Sequence, residues 1–161
     1  MFRVFYYSLL ILLICFIADG CRRLPPPPEG LPKLYPCKVS VTFGGEKMEG
    51  VTVSLISKVP NFKWKSGGIT DKNGVAELRT SFAYSGAPEG IFTVAFSKTQ
   101  DPPGGNTLEA MTPTSLIPLK YSADQSKETV EIKPGKNEFS FTLDGGAERF
   151  PLPQGNIQIK R

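Results

Sequence analysis

The residues in this sequence that could do chemistry are few, and one type is missing. No histidine occurs anywhere. That removes Ser-His-Asp and Cys-His catalysis, imidazole metal sites and histidine-based pH switching. Glu46/Glu49 and Glu128/Glu131 are carboxylate pairs of the type that acid–base work on a glycoside uses. Solvated turn and strand charges are the plainer reading of both. The hydroxyls have no base partner, and no S-x-x-K stands out on a helix for a Ser–Lys pair. Asp71-Lys72-Asn73-Gly74 opens like a calcium loop, but Phe82 stands where such a loop needs its late glutamate. A turn is expected there instead, with Asp71 supporting the backbone and Asn-Gly supplying positive φ. No metal and no cofactor are expected, and a hydrolase using carboxylates ranks last among the functional readings.

Phe62-Lys63-Trp64-Lys65 is the segment most suited to contact a ligand. It holds the only tryptophan of the chain, in a loop and between two cations. Such a platform can stack on a sugar ring or touch a membrane interface. The competing reading folds Trp64 back to cap one end of the domain, because a lone tryptophan usually buries most of its area.

The remaining reactive residue is Cys21. Arg3 precedes a 14-residue run, residues 4–17, interrupted only by Ser8. That is the length of a signal-peptide apolar region, since spanning a bilayer takes about 20 residues. Ile17-Ala18-Asp19-Gly20-Cys21 resembles a bacterial lipobox, in which the cysteine receives a diacylglycerol and becomes the mature N-terminus. Ala18-Asp19-Gly20 also fits the small-x-small rule of ordinary signal peptidase, and both routes cut before Cys21. Residues 1–20 are therefore expected to be a signal peptide. Several acyl chains on Cys21 would anchor the chain stably where one would not. By the lipoprotein resemblance, Arg22 after the cysteine suggests the outer membrane or periplasmic face. Without acylation, a Cys21–Cys37 disulfide becomes available in an oxidising compartment. A buried, inert Cys37 is the more ordinary reading.

Residues 21–36 read as a tether. Pro25-Pro26-Pro27-Pro28, Pro32 and Pro36 favour extended polyproline II, reaching roughly 45 Å at about 3.1 Å per residue. The net charge is +4, but no basic run exceeds two residues. A nucleic-acid partner needs a clustered basic face and is not expected.

The elements that must hold these residues are strands. Gly (16) and Pro (15) make up about a fifth of 161 residues, which points to a turn-rich all-β chain. Val39, Val41 and Phe43 alternate with polar residues, as do Val51, Val53 and Leu55. A short strand over 68–70 leads through the Asp71 turn into a strand over 75–80. Residues 91–98 form the strongest strand, with Phe92, Val94 and Phe96 on one side. Residues 101–127 read as a long loop with a helical turn near 108–111. Residues 129–133 and 138–143 read as a hairpin closed by Pro134-Gly135-Lys136-Asn137. The expected core is Val39, Val41, Val53, Leu55, Leu78, Phe92, Val94, Phe139 and Phe141. The expected fold is a single antiparallel β-sandwich of about seven strands over residues 37–144, prealbumin-like or Ig-like. Residues 145–161 would form a tail or an edge strand near 156–160.

Several of these segments resemble a known family. Gly68-Ile69-Thr70-Asp71-Lys72-Asn73-Gly74-Val75-Ala76-Glu77-Leu78, Ala87-Pro88-Glu89-Gly90-Ile91-Phe92-Thr93-Val94 and Pro134-Gly135-Lys136-Asn137-Glu138-Phe139 are similar to carboxypeptidase regulatory-like domains. These are transthyretin-like sandwiches, of the sort carried by small lipoproteins of planctomycete-type bacteria. The likeness covers residues 38–143. It implies a fold and a non-catalytic accessory role, and brings no catalytic residues. The expectation is an exported, membrane-anchored binding or structural module, with a glycan or an envelope protein as partner. The alternative is a carbohydrate-binding accessory protein using the Trp64 loop.

Overall fold

The computed structural model describes residues 26–101 and 113–149. Every regular element there is a strand or a single 3₁₀ turn, so the chain is all-β. The strands are β1 (Leu34–Tyr35), β2 (Cys37–Phe43), β3 (Glu46–Lys47), β4 (Thr52–Ser57) and β5 (Ser66–Ile69). Then follow β6 (Val75–Glu77), β7 (Arg79–Thr80), β8 (Tyr84–Ser85), β9 (Ala87–Pro88) and β10 (Gly90–Ser97). The last are β11 (Thr99–Gln100), β12 (Thr114–Ser115), the 3₁₀ turn Leu119–Tyr121, β13 (Thr129–Ile132), β14 (Asn137–Leu143) and β15 (Glu148–Arg149).

Two sheets carry most of the chain. One has the order β13-β10-β4-β5-β7-β8, and its pairs are all antiparallel. The other has the order β14-β2-β3, with β6 also pairing β2. Period-two alternation sorts the side chains. In β4, Val53 and Leu55 are buried while Thr52 is exposed; in β2, Val39 and Val41 are buried while Lys38 is exposed. The buried sets of both sheets join one cluster, with Phe92, Val94 and Phe96 from β10 and Val130 and Ile132 from β13. Seven of the nine expected core residues are fully buried. Phe139 and Phe141 pack on the cluster but stay half-buried. Among the described residues, no buried side-chain nitrogen or oxygen lacks a hydrogen-bond partner.

Three expectations need correction. The segment 75–80 is two strands, not one. β6 pairs β2 and β7 pairs β5, so the chain passes from one sheet to the other at Leu78. Leu78 is buried and donates its N–H to the Cys37 carbonyl, while its own carbonyl accepts from Gly86. The corner requires a glycine opposite it. A Cβ on Gly68 would meet the Glu77 carbonyl oxygen at 2.7 Å.

The second correction concerns the closing hairpin. β13 pairs β10, whereas β14 runs parallel to β2 over seven residues, from Asn137 opposite Cys37 to Leu143 opposite Phe43. The architecture is therefore mixed rather than purely antiparallel. The Asn137 side chain explains the departure. Its Nδ2 donates to the Lys133 carbonyl at 2.9 Å and to the Gly135 carbonyl at 3.1 Å, and its Oδ1 accepts from Lys133 N–H at 3.0 Å. A side chain thus satisfies the turn that a cross-strand ladder would otherwise satisfy. The Asn137 N–H then donates to the Pro36 carbonyl and starts the parallel ladder.

The third correction is in the long loop. Its described part, from residue 113 onward, is not an unstructured excursion. Ile117 and Tyr121 are buried in the core, and Tyr121 meets Phe96 edge-on at 6.2 Å. The expected turn near 108–111 and edge strand near 156–160 lie outside the described residues, as do Cys21 and the signal segment. At the other boundary, β1 pairs β9, and the Tyr84 hydroxyl donates to the Pro26 carbonyl at 3.1 Å. After Gly146 the chain returns as β15 beside β12.

Candidate functional site

The outer face of the six-stranded sheet has small residues in its middle. Ser54 on β4 stands opposite Gly67 on β5 and Ala95 on β10, and Gly67 stands opposite Arg79 on β7. Thr52 opposite Ile69 forms the neighbouring row. A row of short side chains between taller ones leaves a trough.

Two connections raise its walls. Residues 58–65 link β4 to β5. Asn61 takes φ of 58°, a conformation asparagine tolerates better than most residues. Phe62 then turns to the core and meets Phe92 edge-on at 6.0 Å. The opposite wall is the turn between β7 and β8. Ser81 and Phe82 have φ of 52° and 59°, and the Ala83 N–H donates to the Thr80 carbonyl. Ser81 N–H also donates to the Lys65 carbonyl at 2.8 Å, tying this turn to the end of the first wall. The result is a groove of about 840 Å³.

Phe62, Trp64 and Lys65 all line this groove, and Lys63 does not. Phe62 and Trp64 are half-buried, while Lys63 and Lys65 are exposed. The two aromatics thus divide the roles: Phe62 anchors the loop to the core and Trp64 borders the groove. The apolar rim extends beyond the Trp64 segment. Val59 on the same wall, Ile69 on β5 and Phe82 on the opposite wall are 62%, 66% and 87% exposed, and all three line the groove. Ile91, at 56%, is the one other large apolar side chain this exposed among the described residues. The available signal was an unbroken Ser-Phe-Ala between two short strands, an aromatic at a hairpin tip without a turn residue to excuse it.

The charges around the groove are of one sign. Among the described residues, Lys65 and Arg79 are its charged lining residues and no carboxylate lines it. Beyond Arg79 and Phe82 lies a second hollow with Lys38, Asp71 and Glu77. There Lys38 Nζ is 2.8 Å from Glu77, and that bond holds the Glu77 carboxyl below its usual range. Asp71 is occupied as a turn acceptor. Its Oδ1 takes N–H bonds from Val75 at 3.0 Å and Asn73 at 2.8 Å, and these, Val75 first, lower its pKa. Of the carboxylate pairs, Glu131 is bonded to Lys133 at 2.9 Å, and Glu46 and Glu49 are exposed. Among the described residues, no group of three or more Asp, Glu or Cys could hold a metal ion. Cys37 is buried, and desolvation pushes its thiol up to about 11, which makes it a poor nucleophile.

Comparison with family models, with curated proteins and with solved structures finds no match.

Proposed function

We propose that this protein is a non-catalytic binding module whose contact surface is the groove between residues 58–65 and the β7–β8 turn. The observation carrying the reading is the convergence of Val59, Ile69 and Phe82 on that groove. Large apolar side chains scattered singly need no explanation, but a cluster rimming a concave surface marks an interaction site. In this reading the two sheets pack as one sandwich, akin to carboxypeptidase regulatory-like domains, on an exported chain. Cleavage before Cys21 and its acylation place the module at the cell envelope, with the proline-rich segment ahead of β1 as spacer. Lipid then holds the protein at the membrane, and the groove faces whatever the envelope presents. Trp64 beside the groove keeps a sugar ring as the second ligand class, because an indole face can stack on it.

The test is thermal stabilisation of the purified chain by fractionated envelope extract. A fraction that raises the melting temperature of the wild type, but not of Trp64→Ala or Phe82→Ser, is the expected result. Equal shifts in all three proteins, or none in any, would sink the reading. A separate Cys21→Ser variant in the host tests the anchor. It should leave the membrane fraction and lose acyl mass.

A further inference from the structure

Building on the groove as the binding surface, we infer that its ligand is a fatty acid bound as the carboxylate. The acyl chain lies on the apolar walls, and the anionic end sits between Lys65 and Arg79.

The walls specify the body of the ligand. Val59, Trp64, Ile69 and Phe82 are apolar and rise from both sides of a floor of short side chains. A volume of about 840 Å³ lies within the range of small-molecule sites, roughly 300–1,000 Å³. A sugar site would bring several fixed amides or carboxylates to bear on ring hydroxyls. Here the lining offers, among the described residues, one side-chain amide, Asn61, and no carboxylate.

The cations specify the end of the ligand. Arg79 stands opposite Gly67 in the β5–β7 pairing, and Lys65 immediately precedes β5, its carbonyl accepting from the Ser81 N–H. Both cations line the groove, so their long side chains can meet one carboxylate there. Neither has an ion-pair partner among the described residues. Glu77, which feels the charge of Arg79, is already bonded to Lys38. Two cations without an ion-pair partner among the described residues, beside an apolar surface, favour a ligand that combines an apolar chain with an anion. Arg79 suits the task, because its planar fork matches a carboxylate in two parallel bonds.

Trp64, the single tryptophan, supplies the readout. The full chain carrying Cys21→Ser, purified without detergent, is titrated with dodecanoate below its micelle concentration while indole emission is followed. We expect a saturable change. Decanoate should bind about tenfold more weakly, since each CH₂ is worth about a threefold to fourfold change in affinity. The double variant Lys65→Gln, Arg79→Gln should lose tenfold or more for dodecanoate and keep its affinity for dodecanol. Both side chains are exposed, so its melting temperature should match the parent, and Lys65→Gln alone serves as the second variant. Dodecanoate that binds the double variant as tightly as the parent, or shows no chain-length dependence, or does not bind, would overturn the inference. If dodecanoate fails while an envelope fraction still stabilises the chain through Trp64, the fatty acid falls and the binding module stands. If both fail, both readings fall.

Discussion

Two turns in this protein reverse the chain in four residues, and they differ in almost every respect. In residues 71–74 the Gly74 N–H donates to the Asp71 carbonyl at 2.8 Å, and the Asp71 carboxylate accepts two further backbone N–H groups. Gly74 takes the positive φ of 73°. In residues 80–83 the positive φ values fall on Ser81 and Phe82, and the turn contains no glycine. Left-handed backbone costs roughly 1–2 kcal/mol at each non-glycine residue. The first turn spends its residues on folding. The second holds a strained backbone and an 87% exposed phenylalanine at the rim of a groove. Strain retained beside an exposed apolar cluster is the pattern on which the proposed contact role of this turn rests.

Exchanging what each turn has and lacks tests the contrast. The largest effect should come from Gly74→Ala. Its φ is positive, and the new Cβ would meet the Val41 carbonyl oxygen at 2.6 Å. We expect a loss of about 2 kcal/mol or more in urea unfolding, from left-handed strain and the displaced backbone. Phe82→Gly should do the reverse and stabilise by about 1 kcal/mol, while weakening whatever the groove binds. A Phe82→Gly protein that is less stable than wild type would show that Phe82 serves the fold. The smallest effect is electrostatic. The folded pKa of Asp71 lies below its unfolded value, so its contribution to stability is present at neutral pH. That contribution is lost as pH falls through and below the ordinary aspartate range, near 3.9. Asp71→Asn should therefore narrow the stability gap to wild type on going from pH 7 to pH 3, whereas Phe82→Gly should leave the pH dependence unchanged.

The same contrast explains what could be read in advance. The Asp71 turn was legible because its residues act locally: aspartate bonds nearby N–H groups and glycine takes the left-handed conformation. The strands with strict alternation, β2, β4 and β10, were legible because one buried face imposes a period of two. Residues 129–143 looked like a hairpin for equally local reasons. Their partners were decided by distant strands and by the Asn137 side chain, which serves the turn and frees β14 to run beside β2. Half of the groove was legible in the same way. Trp64 between two lysines is conspicuous in sequence, whereas Phe82 and Ile69 look like ordinary core residues until the sheet order places them outside.

Local sequence signals are enough for the class of structure, all-β, and for which residues of the main strands point inward. Both follow from near-neighbour rules: period-two burial, and the turn chemistry of glycine, proline, asparagine and aspartate. Long-range packing sets the sheet change at Leu78, the parallel pairing of β14 with β2, the burial of Ile117 and Tyr121, and the meeting of Trp64, Lys65, Arg79 and Phe82 around one groove. These depend on contacts between residues far apart in the chain, or on a corner whose geometry one residue cannot reveal. Non-local pairing is selected by how well whole faces pack, and no short window of sequence contains that information.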